Sequence, residues 1–337
     1  MAASVVPVPL YLGYAAAVGL KRLLGLSCER HRSYFLMKVI RALERGKITG
    51  RLHVTAAGKR DGAGAQAIAR ISALVFARAF GLTYAHTPFE TLAHAELPLP
   101  EWLSAWETLL GLGRGEPLAA DCPFPRVDLE TYASDPRLWK EDRLLVVRHY
   151  HTFWSLCPAA GDAVLPVLRE KYRAAAGPRV PGARLEVCAH VRRGDVRQGD
   201  ADTGHRFTRN AAVGATLGAV EASLAAAGLP ARVRIFSQGV EADFSELRGP
   251  GREFCLNTPA LDTFRALADA DVLLMANSDF SHVAAMLGDG VRLADARHRV
   301  FQRGWIELRP EDGAFDQTRL AAELASRWPA GARSPGP

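Results

Sequence analysis

The second half of the chain alternates short apolar runs with helical segments, and this alternation constrains the fold more than any other feature. Strands that are buried on both faces have continuous apolar sequences, and intervening helices let successive strands run parallel. The sequence therefore predicts an α/β domain with a parallel sheet and helices on both faces. The predicted strands are Leu185–Val191, Val233–Ser237, Glu253–Leu256 and Val272–Ala276, and the predicted helices are 210–227, 241–247, 260–269, Asp279–Leu287 and 317–328.

The first half shows a looser version of the same order. A stiff segment, Gly177–Gly182, contains two prolines and two glycines and is typical of a linker. A chain of 337 residues is long enough for two domains, so we expect an N-terminal domain over 1–178 and a C-terminal domain over 179–337. The elements predicted in the first half are strands Arg51–Thr55, Leu82–His86 and Leu144–Tyr150 and helices 65–80, Glu101–Gly111 and 160–176, with 113–142 left unassigned.

Composition excludes several classes of protein. Apolar residues make up 48% and charged residues 23%, values typical of a globular chain and not of a disordered, collagenous or polytopic membrane protein. The formal net charge is +6, and residues 1–60 hold 11 basic against 2 acidic side chains. That bias fits an anionic membrane surface, a nucleic acid or a solvated positive face. Because the chain lacks RNA-type aromatic motifs and zinc-finger spacing, we expect no nucleic-acid partner.

The N-terminus supports two interpretations. Residues 1–20 are uncharged but diluted by Gly, Pro and Ala, and the segment Glu29–Arg45 has the pattern of a basic amphipathic helix. One interpretation is a peripheral membrane contact through residues 1–45. The other, which we favour for the helix, packs it on its own domain. Five cysteines without a CxxC pair indicate a reducing compartment, so we expect a cytoplasmic protein.

The sequence Cys188-Ala-His-Val-Arg-Arg-Gly-Asp195 is the strongest chemical signal. It ends a predicted strand, and ligands of open α/β sheets bind at the carboxyl ends of the strands. Strand alternation sends His190 and Arg192 to one face. Arg192 and Arg193 suit a diphosphate, because guanidinium groups fork onto phosphate oxygens, and Asp195 can hold one of them. The alternative is a surface salt-bridge cluster.

A second signal begins about 80 residues later, where a buried strand leads into Asn277-Ser278-Asp279 and then a helix. Ser278 or Asp279 can cap this helix, whose first N–H groups favour an anion. Ser281 and His282 lie in the first turn and could add donors. The alternative is a well-capped helix without a ligand.

Together the two motifs resemble the GDP-fucose fucosyltransferases, the group of α1,2-, α1,6- and nodulation-factor enzymes. The likeness covers 185–290 well and 50–90 loosely. The strand that ends at Ser237 is similar to the family's middle strand, but Gln238 replaces the usual acid. The loop Gly62-Ala-Gly64-Ala-Gln66 is similar to the family's Gly-x-Gly-Asn-Gln turn, with Ala65 in place of Asn.

The resemblance implies a GT-B glycosyltransferase with two Rossmann-like domains, an N-terminal acceptor side and a C-terminal donor side. It implies inverting, metal-independent transfer of fucose from GDP-fucose to a hydroxyl of a glycan or another acceptor. Arg192 would grip the β-phosphate, His190 would lie near the nucleoside, and Asp200, with Asp202 as an alternative, would be the base. The other residues implied at the donor are Arg193, Asp195, Gly62, Gly64, Gln66, Ser237, Asp262 at the guanine edge, Asn277, Ser278, Ser281 and His282.

Three alternatives remain open from the residues themselves. Asp269-Ala-Asp271 and Asp200-Ala-Asp202 both match the DxD metal-binding pattern; we interpret the first as a helix–strand connection and leave a metal open at the second. The spacing Gly62-x-Gly64-x-x-Ala67 is close to a dinucleotide-binding fingerprint and would fit an NAD(P)-dependent oxidoreductase. A non-catalytic protein that binds nucleotide sugars or glycans is the third alternative.

Overall fold

The computed structural model describes residues 30–148, 153, 158–179, 182–201, 203–295 and 302–329. The chain divides into two compact units, Met1–Lys171 and Tyr172–Pro337. The boundary falls inside the helix Pro158–Ala176, before the glycine and proline linker. Each unit contains its own parallel β-sheet, so the predicted α/β class, with a parallel sheet in the C-terminal half, is confirmed.

The first unit is built on a four-stranded sheet. Its strands are β1 (Leu52–Ala56), β2 (Thr83–Tyr84), β3 (Arg126–Asp128) and β4 (Arg143–Val147), in the order β2-β1-β4-β3. Its helices are α1 (Arg30–Glu44), α2 (Ala63–Ala79), α3 (Leu99–Leu110), α4 (Leu129–Ser134) and the start of α5 (Pro158–Ala176), with a 3₁₀ segment over Pro136–Lys140.

The second unit carries a six-stranded sheet. Its strands are β5 (Leu185–His190), β6 (Ala231–Ser237), β7 (Arg252–Leu256), β8 (Val272–Leu274), β9 (Val291–Asp295) and β10 (Ile306–Leu308). Its α-helices are α6 (Asn210–Ala226), α7 (Ala260–Ala268), α8 (Asp279–Leu287) and α9 (Gln317–Arg327), with 3₁₀ segments over Gly204–Arg206 and Glu241–Leu247.

The order of this sheet is β10-β9-β8-β5-β6-β7, with every described pair parallel. Counted from β5 as the first strand, the order is 3-2-1-4-5-6, the doubly wound order of nucleotide-binding sheets. The chain therefore builds outward in one direction through β6 and β7, and then returns to the other side of β5 with β8. Val187 pairs with Val272 and Ala189 with Leu274 across that central junction.

The core explains why this sheet is stable. Side chains of β5, β6, β8 and β9 interlock with α6 and α9 in one apolar cluster, in which Leu217, Ile235 and Leu320 are fully buried. Apolar area removed from water contributes about 25 cal/mol per Å². The sheet can therefore hold polar groups at its carboxyl edge while its centre supplies the stability.

The sequence pattern did not predict strands β3, β9 and β10 or several short helical elements. β9 follows Gly290 closely, and β10 has only three residues, so neither produces a periodic apolar run. The unassigned stretch 113–142 contains β3, α4 and the 3₁₀ segment. The strand predicted over Leu82–His86 shortens to β2, because His86 pairs with Leu118 as an isolated bridge instead.

The basic amphipathic segment forms helix α1. Its apolar stripe is used inside the first unit, because Leu36, Val39 and Ile40 are buried, whereas Tyr34 is 58% exposed. This burial supports the interpretation that the helix packs on its own unit. Residues 1–29 lie outside the described residues, so the membrane contact predicted for them stays a prediction. Within the described residues no helix has both the length and the apolar character needed to cross a bilayer.

Candidate functional site

The junction between β5 and β8 is the point where the strand order of the second sheet reverses. In doubly wound sheets, the loops that leave the carboxyl ends of two such strands diverge to opposite faces and open a crevice for ligands. The two sequence motifs follow these two strands. The fold therefore brings the His190–Asp195 segment and the Ala276–Ser281 segment together, although about 80 residues separate them.

Arg192 joins the two motifs directly. Its Nη1 donates to Ser278 Oγ at 3.0 Å, while Nε and Nη2 donate to Asp195 Oδ1 and Oδ2 at 3.2 and 2.7 Å. The guanidinium is thus oriented from two sides and remains 21% exposed. Asp195 holds one guanidinium as the sequence suggested. A cation that is fixed but still open to solvent is suited to an incoming anion.

Ser278 is also the N-cap of helix α8. Its backbone is extended and its Oγ accepts from the N–H of Phe280 at 3.3 Å. The same hydroxyl therefore accepts hydrogen bonds from the helix start and from Arg192. The helix N-terminus carries partial positive charge. Arg192 and the first turn of α8 therefore both contribute positive potential at the carboxyl edge of the sheet.

Two predicted donor residues of α8 are not brought to the open edge. Ser281 is fully buried, and its hydroxyl donates to the carbonyl oxygens of Ala276 and Ser278 at 3.2 and 3.3 Å. His282 is fully buried, and its ring packs on Trp305 at 4.8 Å in an edge-on arrangement. Both side chains lie on the buried face of α8. In this structure Ser281 supports the loop, and neither side chain lines its open edge.

Arg193 is oriented differently from Arg192. Its guanidinium donates to the carbonyl oxygens of Arg192 and Thr208 at 2.8 and 2.9 Å and to Asn210 Oδ1 at 2.6 Å. It also stacks on Phe207, with 4.1 Å between the guanidinium carbon and the ring centroid. Burial lowers the pKa of this group, partly opposed by Asp243. The two adjacent arginines predicted to share a diphosphate therefore have separate environments.

His190 ends β5 just below Arg192. Its imidazole lies against the ring of Phe280, 5.6 Å between centroids. Burial, reinforced by the charge of Arg192, lowers the pKa of His190 to about 3. The imidazole is therefore neutral across the physiological range, with one nitrogen available as an acceptor. A neutral ring beside a cation can accept from a hydroxyl or N–H of a ligand without adding charge.

A small pocket opens beside these residues. Its walls come from the ends of β5, β8 and β10 and from the first turns of α6. Most of the lining is apolar, and its polar side chains are those of Arg192, His190 and two threonines. The other lining residues are Val191, Thr208, Ala212, Val213, Thr216, Leu274, Met275, Ala276, Leu308, Pro310 and Gly313.

The sequence pattern missed part of this wall. Leu308 ends β10, a strand too short to be predicted, Pro310 follows it, and Gly313 belongs to the turn after it. Thr216 Oγ1 donates to the Gly313 carbonyl at 2.8 Å and so ties α6 to that turn.

The remaining candidates of the second unit lie at the same carboxyl edge. Ser237 Oγ donates to the Val191 carbonyl at 2.7 Å and ties the end of β6 to β5. Asn277 Nδ2 donates to the His205 carbonyl at 3.4 Å. Asp262 is exposed in the first turn of α7. Asp200 is exposed in the loop after β5, where its Oδ1 accepts from the N–H and hydroxyl of Thr203 at 2.7 and 2.9 Å.

The glycine-rich loop belongs to the first unit. Gly62 is the N-cap of α2, and Gly64 lies in its first, buried turn. Gln66 is buried and donates through Nε2 to the carbonyl oxygens of Asp61 and Thr91 at 2.8 and 2.6 Å. The amide therefore braces the loop within the first unit. His86 follows β2 and bonds to Glu107 at 3.0 Å. A dinucleotide-binding site would have an acidic residue at the position of His86, where it would bind the ribose.

The two DxD patterns have different surroundings. Asp269 caps the end of α7 and pairs with Arg173, and Asp271 is buried just before β8 and pairs with Arg179 at 2.6 Å. Both lie at the amino end of β8, opposite the candidate site, which confirms their interpretation as a helix–strand connection. Among the described residues no cluster of three or more His, Cys, Asp or Glu could hold a metal ion. Asp202 lies outside the described residues.

Comparisons with known proteins give distant likenesses. No protein-family model and no curated protein matches the chain. Among solved structures, the chain resembles the fucosyltransferase NodZ from Bradyrhizobium at 12% identity and a TM-score of 0.41, over 79% of this chain and 98% of that one. It also resembles the E. coli heptosyltransferase WaaC with ADP at 14% identity and a TM-score of 0.37, over 82% and 97%.

A second NodZ structure, an alpha-1,6-fucosyltransferase co-crystallized with GDP, matches at 13% identity and a TM-score of 0.40, over 79% of this chain and 97% of that one. Because these likenesses are distant, what those structures bind is a property of those proteins. We therefore base the functional proposal on the geometry of this chain's own residues.

Proposed function

We propose that this protein is a glycosyltransferase that uses a nucleoside diphosphate sugar as donor. The observation that carries the proposal is the position of Arg192, held between Asp195 and Ser278 at the strand-order reversal of a doubly wound sheet. The two motifs that meet there are separated in sequence, and their meeting places a partly exposed guanidinium beside a helix N-terminus. A diphosphate satisfies both positive groups at once.

The chemistry follows from where charge develops. Breaking the bond between the anomeric carbon and the donor's phosphate oxygen leaves negative charge on the nucleoside diphosphate. Arg192 and the first N–H groups of α8 are already oriented, so they stabilise this charge without reorganisation. The acceptor hydroxyl attacks the anomeric carbon, and its proton passes to a base. We assign that role to Asp200, whose carboxylate stands in the loop after β5 and is oriented by Thr203.

The proposal extends to the donor and acceptor through the sequence resemblance. GDP-fucose is the proposed donor, and a hydroxyl of a glycan or another acceptor is the proposed acceptor, with inversion at the anomeric carbon. His190, neutral and beside Arg192, is proposed to accept a hydrogen bond from the nucleoside, and Asp262 to face the guanine edge. The arginine and the helix start are proposed to act without a metal ion.

A panel of nucleotide sugars tests the donor by thermal unfolding. A ligand that binds only the folded state raises the melting temperature by mass action, by an amount equivalent to about 2.7 kcal/mol at a hundredfold excess over the dissociation constant. We expect a rise with GDP-fucose or GDP and a smaller one with UDP- and ADP-sugars. The rise should vanish in Arg192→Ala and persist in Arg232→Ala, which removes a bidentate pair with Glu253 near the amino ends of β6 and β7.

The same panel separates the alternatives. A rise with GDP-fucose but no turnover with any acceptor tested would favour a non-catalytic binding protein. A rise with NAD(P) and none with nucleotide sugars would favour the oxidoreductase and overturn the proposal.

A further inference from the structure

Three of the five N–H groups of the Arg193 guanidinium are used within the protein. Their acceptors are the Arg192 carbonyl, the Thr208 carbonyl and the Asn210 amide oxygen, at 2.6 to 2.9 Å. Each acceptor is an uncharged oxygen, so the group is held by several directed bonds rather than by a carboxylate. These bonds fix the plane of the Arg193 guanidinium on the loop side, whereas Arg192 bonds to the N-cap of α8.

The acceptors are placed at the two ends of one loop. Arg192 precedes the loop 194–208 that carries Asp200, and Thr208 ends it. Phe207 stacks beneath the same guanidinium at 4.1 Å. Arg193 therefore closes the loop at its base, where both ends leave the sheet and the helix α6.

The hydrogen bonds of Arg193 belong to a network that extends beyond the loop. Asn210, the first residue of α6, accepts from Arg193 and donates through Nδ2 to the Asp243 carbonyl at 2.7 Å. Asp243 lies in the 3₁₀ segment after β6. Since hydrogen-bonded groups in such a chain act as a unit, the loop base, the helix start and the segment after β6 are fixed relative to one another.

We infer that Arg193 is a positioning residue, which fixes the base of the loop 194–208 and the backbone of Arg192, and not a ligand of the donor. This inference rests on the proposed function for what the loop and Arg192 do. It departs from the role that sequence resemblance implies for Arg193. A lysine side chain can bond one or two of the acceptors but cannot stack or fork like a guanidinium. Arg193→Lys should therefore fix the base of the loop only in part.

Limited trypsin digestion tests the inference without any need for activity. Arg197 and Arg206 are cleavage sites within the loop, and cleavage of a transiently opened segment tracks the population of the open form. Losing two or three charged hydrogen bonds should raise cleavage at both sites at least about tenfold in Arg193→Ala. Asn210→Ala should raise it in the same direction, Arg193→Lys should restore part of the protection, and Arg232→Ala should match wild type.

Ligand affinity supplies the second measurement. We expect Arg193→Ala to bind GDP within about threefold of wild type, because it keeps Arg192 as the phosphate contact, and to lose mainly kcat. Unchanged cleavage at Arg197 and Arg206 in both Arg193→Ala and Asn210→Ala would overturn the inference. So would a loss of GDP affinity as large as that of Arg192→Ala, which would make Arg193 a direct ligand. Failure of wild type to bind GDP or any nucleotide sugar would instead refute the proposed function, while the cleavage pattern would still decide the loop.

Discussion

Arg192 and Ser278 form a 3.0 Å hydrogen bond across 86 positions of sequence, and this bond joins the ends of the two central strands of the second sheet. Ser278 accepts at the same oxygen from the first turn of α8. The side chain that orients the helix therefore also orients the guanidinium. A single hydroxyl couples the two positive groups of the candidate site.

Replacing Arg192 tests the leaving-group role. We expect Arg192→Ala to lower kcat/KM by about 10² to 10³, the usual loss for one preorganised charge contact in a transition state. Arg192→Lys should also fail, because an ammonium cannot contact Asp195, Ser278 and a phosphate with a planar fork. The measurement is sugar transfer by soluble, folded protein. Arg232→Ala is the control, and activity of either Arg192 variant within a few-fold of that control would contradict the role.

Metal dependence distinguishes Arg192 from a metal-bound carboxylate pair. We expect transfer to continue in the presence of EDTA, because the guanidinium and the α8 N-terminus can supply the positive charge that a divalent ion supplies elsewhere. The rate is measured before and after exhaustive chelation. Loss of activity that Mn²⁺ or Mg²⁺ restores would point to Asp200 and Asp202 as ligands of that ion. It would contradict the metal-independent mechanism.

The burial of His190 predicts a dependence of stability on pH. The pKa of His190 is about 3 in the folded protein against 6.5 for the unperturbed group. Between these values the unfolded chain binds more protons, so the folded state loses stability as the pH falls below about 6.5. For this one group the free energy of unfolding should drop by about 1–2 kcal/mol between pH 7 and pH 5.

Urea unfolding at both pH values measures that drop. In His190→Gln the difference between pH 7 and pH 5 should shrink by the same amount, because glutamine does not titrate. An equal difference in wild type and His190→Gln would show that His190 is not buried in its neutral form.

Gly313 tests the packing of the pocket wall. Its φ is +77°, and a Cβ placed there would lie 2.0 Å from the Ala212 carbonyl oxygen. Gly313→Ala should therefore cost about 3 kcal/mol or more, through left-handed backbone strain and overpacking against main chain. Gly228→Ala has a similar φ of +67° and open space around its Cβ, so it should cost only about 1–2 kcal/mol. Chemical denaturation measures the free energy of unfolding of the two variants. Equal losses of stability would contradict the steric clash predicted at Gly313.

The uncharged N-terminus predicts reversible binding to membranes. Each basic residue near an anionic surface contributes about 1 kcal/mol, so the protein should co-sediment with phosphatidylserine vesicles at low salt and be released at high salt. Deleting residues 2–24 should abolish this binding while leaving transfer intact. If the truncated protein is insoluble and the full chain ignores the vesicles, residues 2–24 serve the fold instead.

The sequence predicted the central strands of the second sheet and the meeting of its two motifs because buried parallel strands leave continuous apolar runs. Sequence periodicity could not reveal which way Ser281 and His282 face. His282 packs on Trp305, which lies next to β10, a three-residue strand that has no periodicity to read. The sequence also could not distinguish the role of Arg193 from that of Arg192. Phe207 and Asn210 fix Arg193 through contacts that form only when the loop closes.

The pairing of β5 with β8 has a consequence for how the protein folds. Two complete strand–helix units lie between these neighbours in the chain, so their contact closes a loop of some 80 residues and is entropically expensive to form early. The candidate site exists only after that closure. A ligand that bridges Arg192 and the start of α8 should therefore slow hydrogen exchange of amides throughout the centre of the sheet, and not only of those it touches.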